Sequence, residues 1–178
     1  MWALRIFLIT LIISAGVSIV AEVFISNMGI APAVAVLFLL IAIGVVFDMI
    51  GVAFAGCDEK PFIAMASRKI KKGRRALKLL KKAEVVSSIC NDVIGDICGI
   101  VSGSAGAAIA LKVIAGAKSV NDMIISIGIS ALIAALTVGG KAMGKSFAIK
   151  NNVKIVEFVG AFISFFEFGG KNDGKKAS

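Results

Sequence analysis

A chain of 178 residues that is 58% hydrophobic and 17% charged, with its charges gathered into short blocks, excludes a water-soluble globular domain. Several stretches reach the roughly 20 mostly apolar residues that a helix needs to cross the hydrocarbon core, so the expected class is an all-α, polytopic helical membrane protein. The formal net charge of +9 does not point to nucleic acid, because ten of the twenty Lys and Arg residues lie between Lys60 and Lys82 with no aromatic beyond Phe62 for a base to stack on.

The first span is expected over about residues 4–25. Arg5 before an apolar run and the small residues near Ala21 imitate a secretory leader, but the run continues through Val23 and Phe24 and is long for a cleavable segment, so a retained helix is expected. A turn over Asn27 to Pro32 leads into a second span, about 33–55, which carries Asp48 near its end and stops at the glycine, charges and proline of residues 56–61. Residues 62–84 alternate basic side chains with Ile70, Leu77, Leu79 and Leu80, the pattern of an interfacial amphipathic helix, with a break expected near Gly73. Its Lys69, Lys71, Lys72, Arg74 and Arg75 are the candidate contacts for anionic lipid headgroups.

A third span, about 85–114, places Gly95, Gly99 and Gly103 at every fourth position, a flat stripe on which another helix can pack closely. The fourth span is expected over about 123–140, followed by a second basic stretch with Lys141, Lys145, Lys150 and Lys154. Residues 153–168 are too short to span and read as interfacial, and 169–178 as a polar tail. Residues 1–168 thus form a single transmembrane domain. Two spans separate the two basic blocks, which therefore share a side; the positive-inside rule makes that side, and both termini, cytoplasmic in a plasma or inner membrane.

The chemistry concentrates on the third span. Asn91 lies on one helix face with Gly95, and Asp92 on another with Asp96. Carboxylates at membrane depth mark ion paths or pair with fixed cations, and here Lys82, Lys141 and Lys145 are the available partners. Hard divalent cations take carboxylate, amide and carbonyl oxygens, the set this helix offers. Cys90 and Cys98 stand roughly 12 Å apart along the helix, too far for a disulfide. Without histidine or a paired-cysteine motif a zinc site is not expected. No catalytic arrangement stands out; Ser87 and Ser88 with Lys141 make no convincing Ser/Lys pair, so the chain is not expected to be an enzyme.

The order of elements carries a resemblance. A span with a small, polar ending, a basic connector through residues 67–80, a third span opening with residues 89–94 around Asn91 and Asp92, and an exit over Gly140–Ala148 together resemble the transmembrane domain of the CorB/CorC and CNNM magnesium transporters, over about residues 35–168. The resemblance implies a Mg²⁺ site, with Co²⁺ as a further cargo, formed by the Asn91 side chain and the Gly95 carbonyl. A serine of the preceding span would fall near Cys57 or Asp58, and of these only Asp58 suits a hard cation. Lys141 stands where the family has a glutamate and Gly144 where it has a proline. Either Asp92 and Asp96 take over the glutamate's role, or Lys141 replaces the metal and the protein is a non-transporting scaffold or accessory subunit. The family's usual cytosolic nucleotide-binding modules are not found in these residues, so a separate regulatory partner is expected, along with a homodimer packed through small-residue faces.

Overall fold

The computed structural model of the protein describes residues 2–116 and 122–167; Lys118 and the polar tail fall outside these. Every regular element among the described residues is helical: α1 (Trp2–Asn27), α2 (Ile30–Ala55), α3 (Lys60–Ser67), α4 (Lys71–Leu80), α5 (Ala83–Ser88), a π-helical stretch (Ile89–Gly95), α6 (Asp96–Gly116), α7 (Asp122–Lys150) and α8 (Asn152–Glu167). Four helical segments are long and apolar enough to cross a membrane: Phe7–Ile25, Ile30–Ala55, Ala83–Ala115 and Ile124–Lys150. The protein is an all-α polytopic membrane protein.

Local chemistry accounts for most of the boundaries. Gly29 precedes α2, and Pro32 sits in that helix's first turn, where a missing N–H is tolerated. Gly56 ends α2, and Pro61 opens α3 in the same way. The break in the basic connector lies at Arg68–Ile70 rather than at Gly73. Lys69 adopts a left-handed φ of 58°, the reversal that ends a helix, while Gly73 lies buried inside α4. A Cβ on Gly73 would stand 2.3 Å from that of Met65, so its role is to let α3 and α4 touch. The fourth span also runs further than expected, to Lys150, because nothing between Gly140 and Lys150 breaks the helix. Lys141 and Lys145 are therefore helical residues of the span and not part of its exit.

α2 is the central helix, packed on α5, the π-helical stretch, α6, α7 and α8, while α1 lies outside against α6. Phe7, Ile12, Ile19 and Phe24 of α1 face outward, as suits a helix whose other neighbour is lipid. Two apolar clusters result. One joins Ile25, Leu37, Ile41, Ala105, Ile109 and Ile133 at the end away from the basic connector. The other joins Ala53 and Phe54 to Phe62, Ala76, Leu80, Ala148 and Val156, tying α3, α4 and α8 to the ends of α2 and α7. The second cluster lies where the chain meets water, and burying a phenylalanine such as Phe62 contributes about 1.5–3 kcal/mol there. Within lipid that driving force is absent and close packing decides. A Cβ on Gly106, for example, would stand 2.2 Å from Ile133 Cδ1. Between the two clusters lies a polar layer.

Candidate cation site

That layer is built on one face of α2. Gly44, Asp48 and Gly51 are spaced at i, i+4 and i+7, so they share a face, and all three are buried. Opposite them the third span changes its winding. The π-helical stretch Ile89–Gly95 ends at Asp96, whose N–H bonds the Val93 carbonyl, and such wide turns are frequent at functional positions. The change of register brings Asn91 and Gly95 against α2. A Cβ on Gly51 would fall 2.1 Å from Asn91 Oδ1, and one on Gly44 would fall 3.0 Å from the Cβ of Cys98 and 3.8 Å from the Gly95 carbonyl oxygen. The glycines of α2 are thus the room in which the amide and the carbonyl sit.

Two lysines of α7, one turn apart, reach into this layer. Lys141 Nζ donates to the Gly95 carbonyl at 3.2 Å and lies 3.7 Å from Asp96 Oδ1. Lys145 Nζ lies 3.5 Å from Asp48 Oδ2. Asp48 is only 3% exposed. Its Oδ1 and the Lys141 ammonium each lie 3.6 Å from the point where a Cβ on Gly95 would stand, so any side chain there would enter the charged centre. Among the described residues two buried side-chain oxygens have no hydrogen-bond partner, Asn91 Oδ1 and Asp48 Oδ2, the latter met only by the Lys145 ammonium; the Asn91 amide nitrogen donates to Ser87 Oγ at 3.4 Å. A buried acceptor left unmade is costly, by about 1–3 kcal/mol, and an oxygen of this kind is what a cation would use.

Asn91 and Gly95, expected on one face, both pack on α2, Asn91 against Gly51 and Gly95 against Gly44, two turns apart along that helix. Asp92 does not join them: it faces outward and accepts a hydrogen bond from Ser88 at 2.7 Å. Asp96, with its side chain 65% exposed, touches the layer only through Lys141. Asp58 is also elsewhere, in the loop after α2, where it accepts the Lys60 N–H and pairs with the Lys60 ammonium at 3.7 Å. Cys57 beside it is no better placed, and its thiol is pushed above the usual range by burial and, secondarily, by Asp58. The buried carboxylate of the layer is instead Asp48, for which spacing alone suggests no role. Gly44 and Gly51 flank it on one helix face, a spacing visible in the sequence that marks where another helix comes close.

Among the described residues no three His, Cys, Asp or Glu side chains cluster as metal ligands. The oxygens here are of mixed kind instead: one carboxylate, one amide and one main-chain carbonyl, which suits a hard cation better than a soft one. The layer is also balanced in charge, with Asp48 and Asp96 against Lys141 and Lys145. Placing a divalent ion about 4 Å from a resident ammonium would cost about 8 kcal/mol at an effective dielectric constant near 20. Entry of such an ion therefore requires Lys141 to leave. Its flexible four-carbon stem permits that, and Asp96 on the outer side offers the displaced ammonium a counter-charge.

Gly99 and Gly103 have nothing within 4 Å of where a Cβ would stand, so this stripe is open in the single chain, unlike Gly95. Lys69, Lys71, Lys72 and Arg74 are exposed along the connector and Arg75 is half-buried; Lys72 also pairs with Glu157 of α8 at 2.6 Å. No protein-family profile, curated protein or solved structure matches this chain.

Proposed function

We propose that the chain is a CorB/CorC-like membrane domain that handles divalent cations, Mg²⁺ and also Co²⁺, at the layer formed by Asp48, Asn91 and Gly95. One observation carries this reading: a cation, the Lys141 ammonium, is already held on the Gly95 carbonyl in a layer that also contains the buried Asp48 carboxylate and the buried Asn91 amide oxygen, which has no hydrogen-bond partner. In this conformation the lysine stands where the transported ion would. Exchange between ammonium and metal then becomes the transport step, with Lys141 moving toward Asp96 as the ion enters. The basic side of the protein is cytoplasmic by the positive-inside rule, the membrane is the plasma or inner membrane, and the open Gly99–Gly103 stripe suits a second copy.

The experiment is Mg²⁺ uptake into liposomes containing the purified protein and its variants. Asp48→Asn removes the buried carboxylate of the layer and should lower uptake at least tenfold; Asn91→Ala should lower it less. Unchanged uptake in both would overturn the assignment. The position of Lys141 also favours a second reading, a non-transporting scaffold in which the ammonium has permanently replaced the metal. That reading expects no uptake by the wild type and none by Lys141→Glu, and any uptake by the wild type removes it.

A further inference from the structure

A groove of about 540 Å³ runs between α2, α7 and α8, away from the cation site. Its walls are apolar, with Val46 and Met49 from α2, Phe147 from α7, and Phe158 and Val159 from α8; Asn151 and Lys154 supply the polar lining. Its depth can be placed. Asn152 Nδ2 donates to the Gly56 carbonyl at 2.7 Å, so the end of α2 and the junction of α7 with α8 stand at one level, where both spans leave the membrane. Val46 lies ten residues before Gly56, roughly 15 Å deeper along the helix. The groove therefore descends from the interface into the hydrocarbon region, and its polar residues are at the upper end.

Asn151 turns its amide back onto the Phe147 carbonyl, which leaves Lys154 as the group at the mouth able to bind a ligand. Lys154 is exposed and forms no ion pair among the described residues. It lies on the side that carries the basic connector and Lys150 as well. We infer that this groove is a specific site for one anionic phospholipid, with an acyl chain along Val46, Met49 and Phe147 and the headgroup phosphate on Lys154. The chemistry follows from depth and charge: an apolar groove at bilayer depth suits an acyl chain, and the Lys154 ammonium at headgroup level selects a net negative headgroup over a zwitterionic one. The site is independent of the cation layer.

The test uses fluorescence quenching in reconstituted vesicles. Trp2→Phe removes the chain's one tryptophan, and Phe158→Trp places an indole in the groove wall. Phosphatidylcholine vesicles then receive equal minor fractions of phospholipid brominated on the acyl chain, either phosphatidylglycerol or phosphatidylcholine. Brominated phosphatidylglycerol should associate about fivefold more strongly, the effect of one lysine beside an anionic headgroup. Adding Lys154→Gln should abolish the preference while quenching persists, and Lys154→Arg should retain it. Equal quenching by the two lipids in the parent protein overturns the inference. So does protection from both lipids, which would mean that a second copy of the chain covers the groove.

Discussion

Lys112 and Lys141 each carry an ammonium onto main-chain oxygen between helices, the first at one end of the bundle and the second in its middle layer. Lys112 of α6 donates to the carbonyls of Ile25 and Met28, where α1 ends. The last carbonyls of a helix have no partner within it and form the negative end of its dipole, so a cation there is fully explained as a cap. Lys141 reaches a carbonyl inside a continuous span, at the end of a π-helical stretch, and pairs with Asp96 in a layer that also holds the buried Asp48 carboxylate and the Asn91 amide oxygen without a hydrogen-bond partner. What separates a structural lysine from one at a site is the surplus of oxygens around it. The first ammonium is matched to its acceptors; the second shares a layer with acceptors left over.

That contrast can be broken most severely by removing both lysines of α7. In Lys141→Met/Lys145→Met, Asp48 stays buried without a cation, and the loss should be about 3–5 kcal/mol, read as a lowered unfolding midpoint in detergent. An unchanged midpoint would mean that the ion pair does not hold the layer together. Lys112→Met should cost less, about 1–3 kcal/mol, by leaving helix-end carbonyls unmet. Its effect should be local, with faster hydrogen exchange around residues 25–29 and Mg²⁺ uptake unaltered. Loss of uptake in Lys112→Met would erase the distinction between the two lysines.

Glycines sharpen the same comparison. Gly51→Ala places a methyl group on the Asn91 amide and should cost about 1–3 kcal/mol while also depressing uptake. Gly106→Ala meets only the mobile end of Ile133, so a smaller stability loss with uptake retained is expected. The smallest effect belongs to Gly99→Ala and Gly103→Ala. In the single chain these meet nothing, and helix propensity favours alanine by about 1 kcal/mol. A clear destabilisation of the reconstituted protein would instead reveal a partner copy on that stripe.

Much of the architecture was legible in the chain because lipid imposes a simple rule. Backbone polar groups must be satisfied within each segment, so apolar length and the placement of charges are enough to give four spanning helices and interfacial ones. That Asn91 and Gly95 share a face was legible too, since positions four apart do so whether the turn is ideal or slightly wide; that they pack against α2 at different levels, Asn91 at Gly51 and Gly95 at Gly44, was not. The break at Lys69 was not, because a lysine in a left-handed conformation has no sequence signal of the kind that glycine gives.

By itself, then, the amino-acid order determined the class, the approximate spans and which residues of the third span share a face, all of which depend on spacing along one chain segment. Only the tertiary structure decided which charges meet. Asp92 and Asp96 were the conspicuous carboxylates, yet both face outward, and Asp48, some forty residues away, supplies the buried one. Lys141 reaches Gly95 because α7 continues as a helix past residue 140 and the π-helical stretch shifts the facing register. Contacts of that kind depend on the rotation of three helices about their axes, which packing between the glycines of α2 and their neighbours fixes and which no single segment encodes.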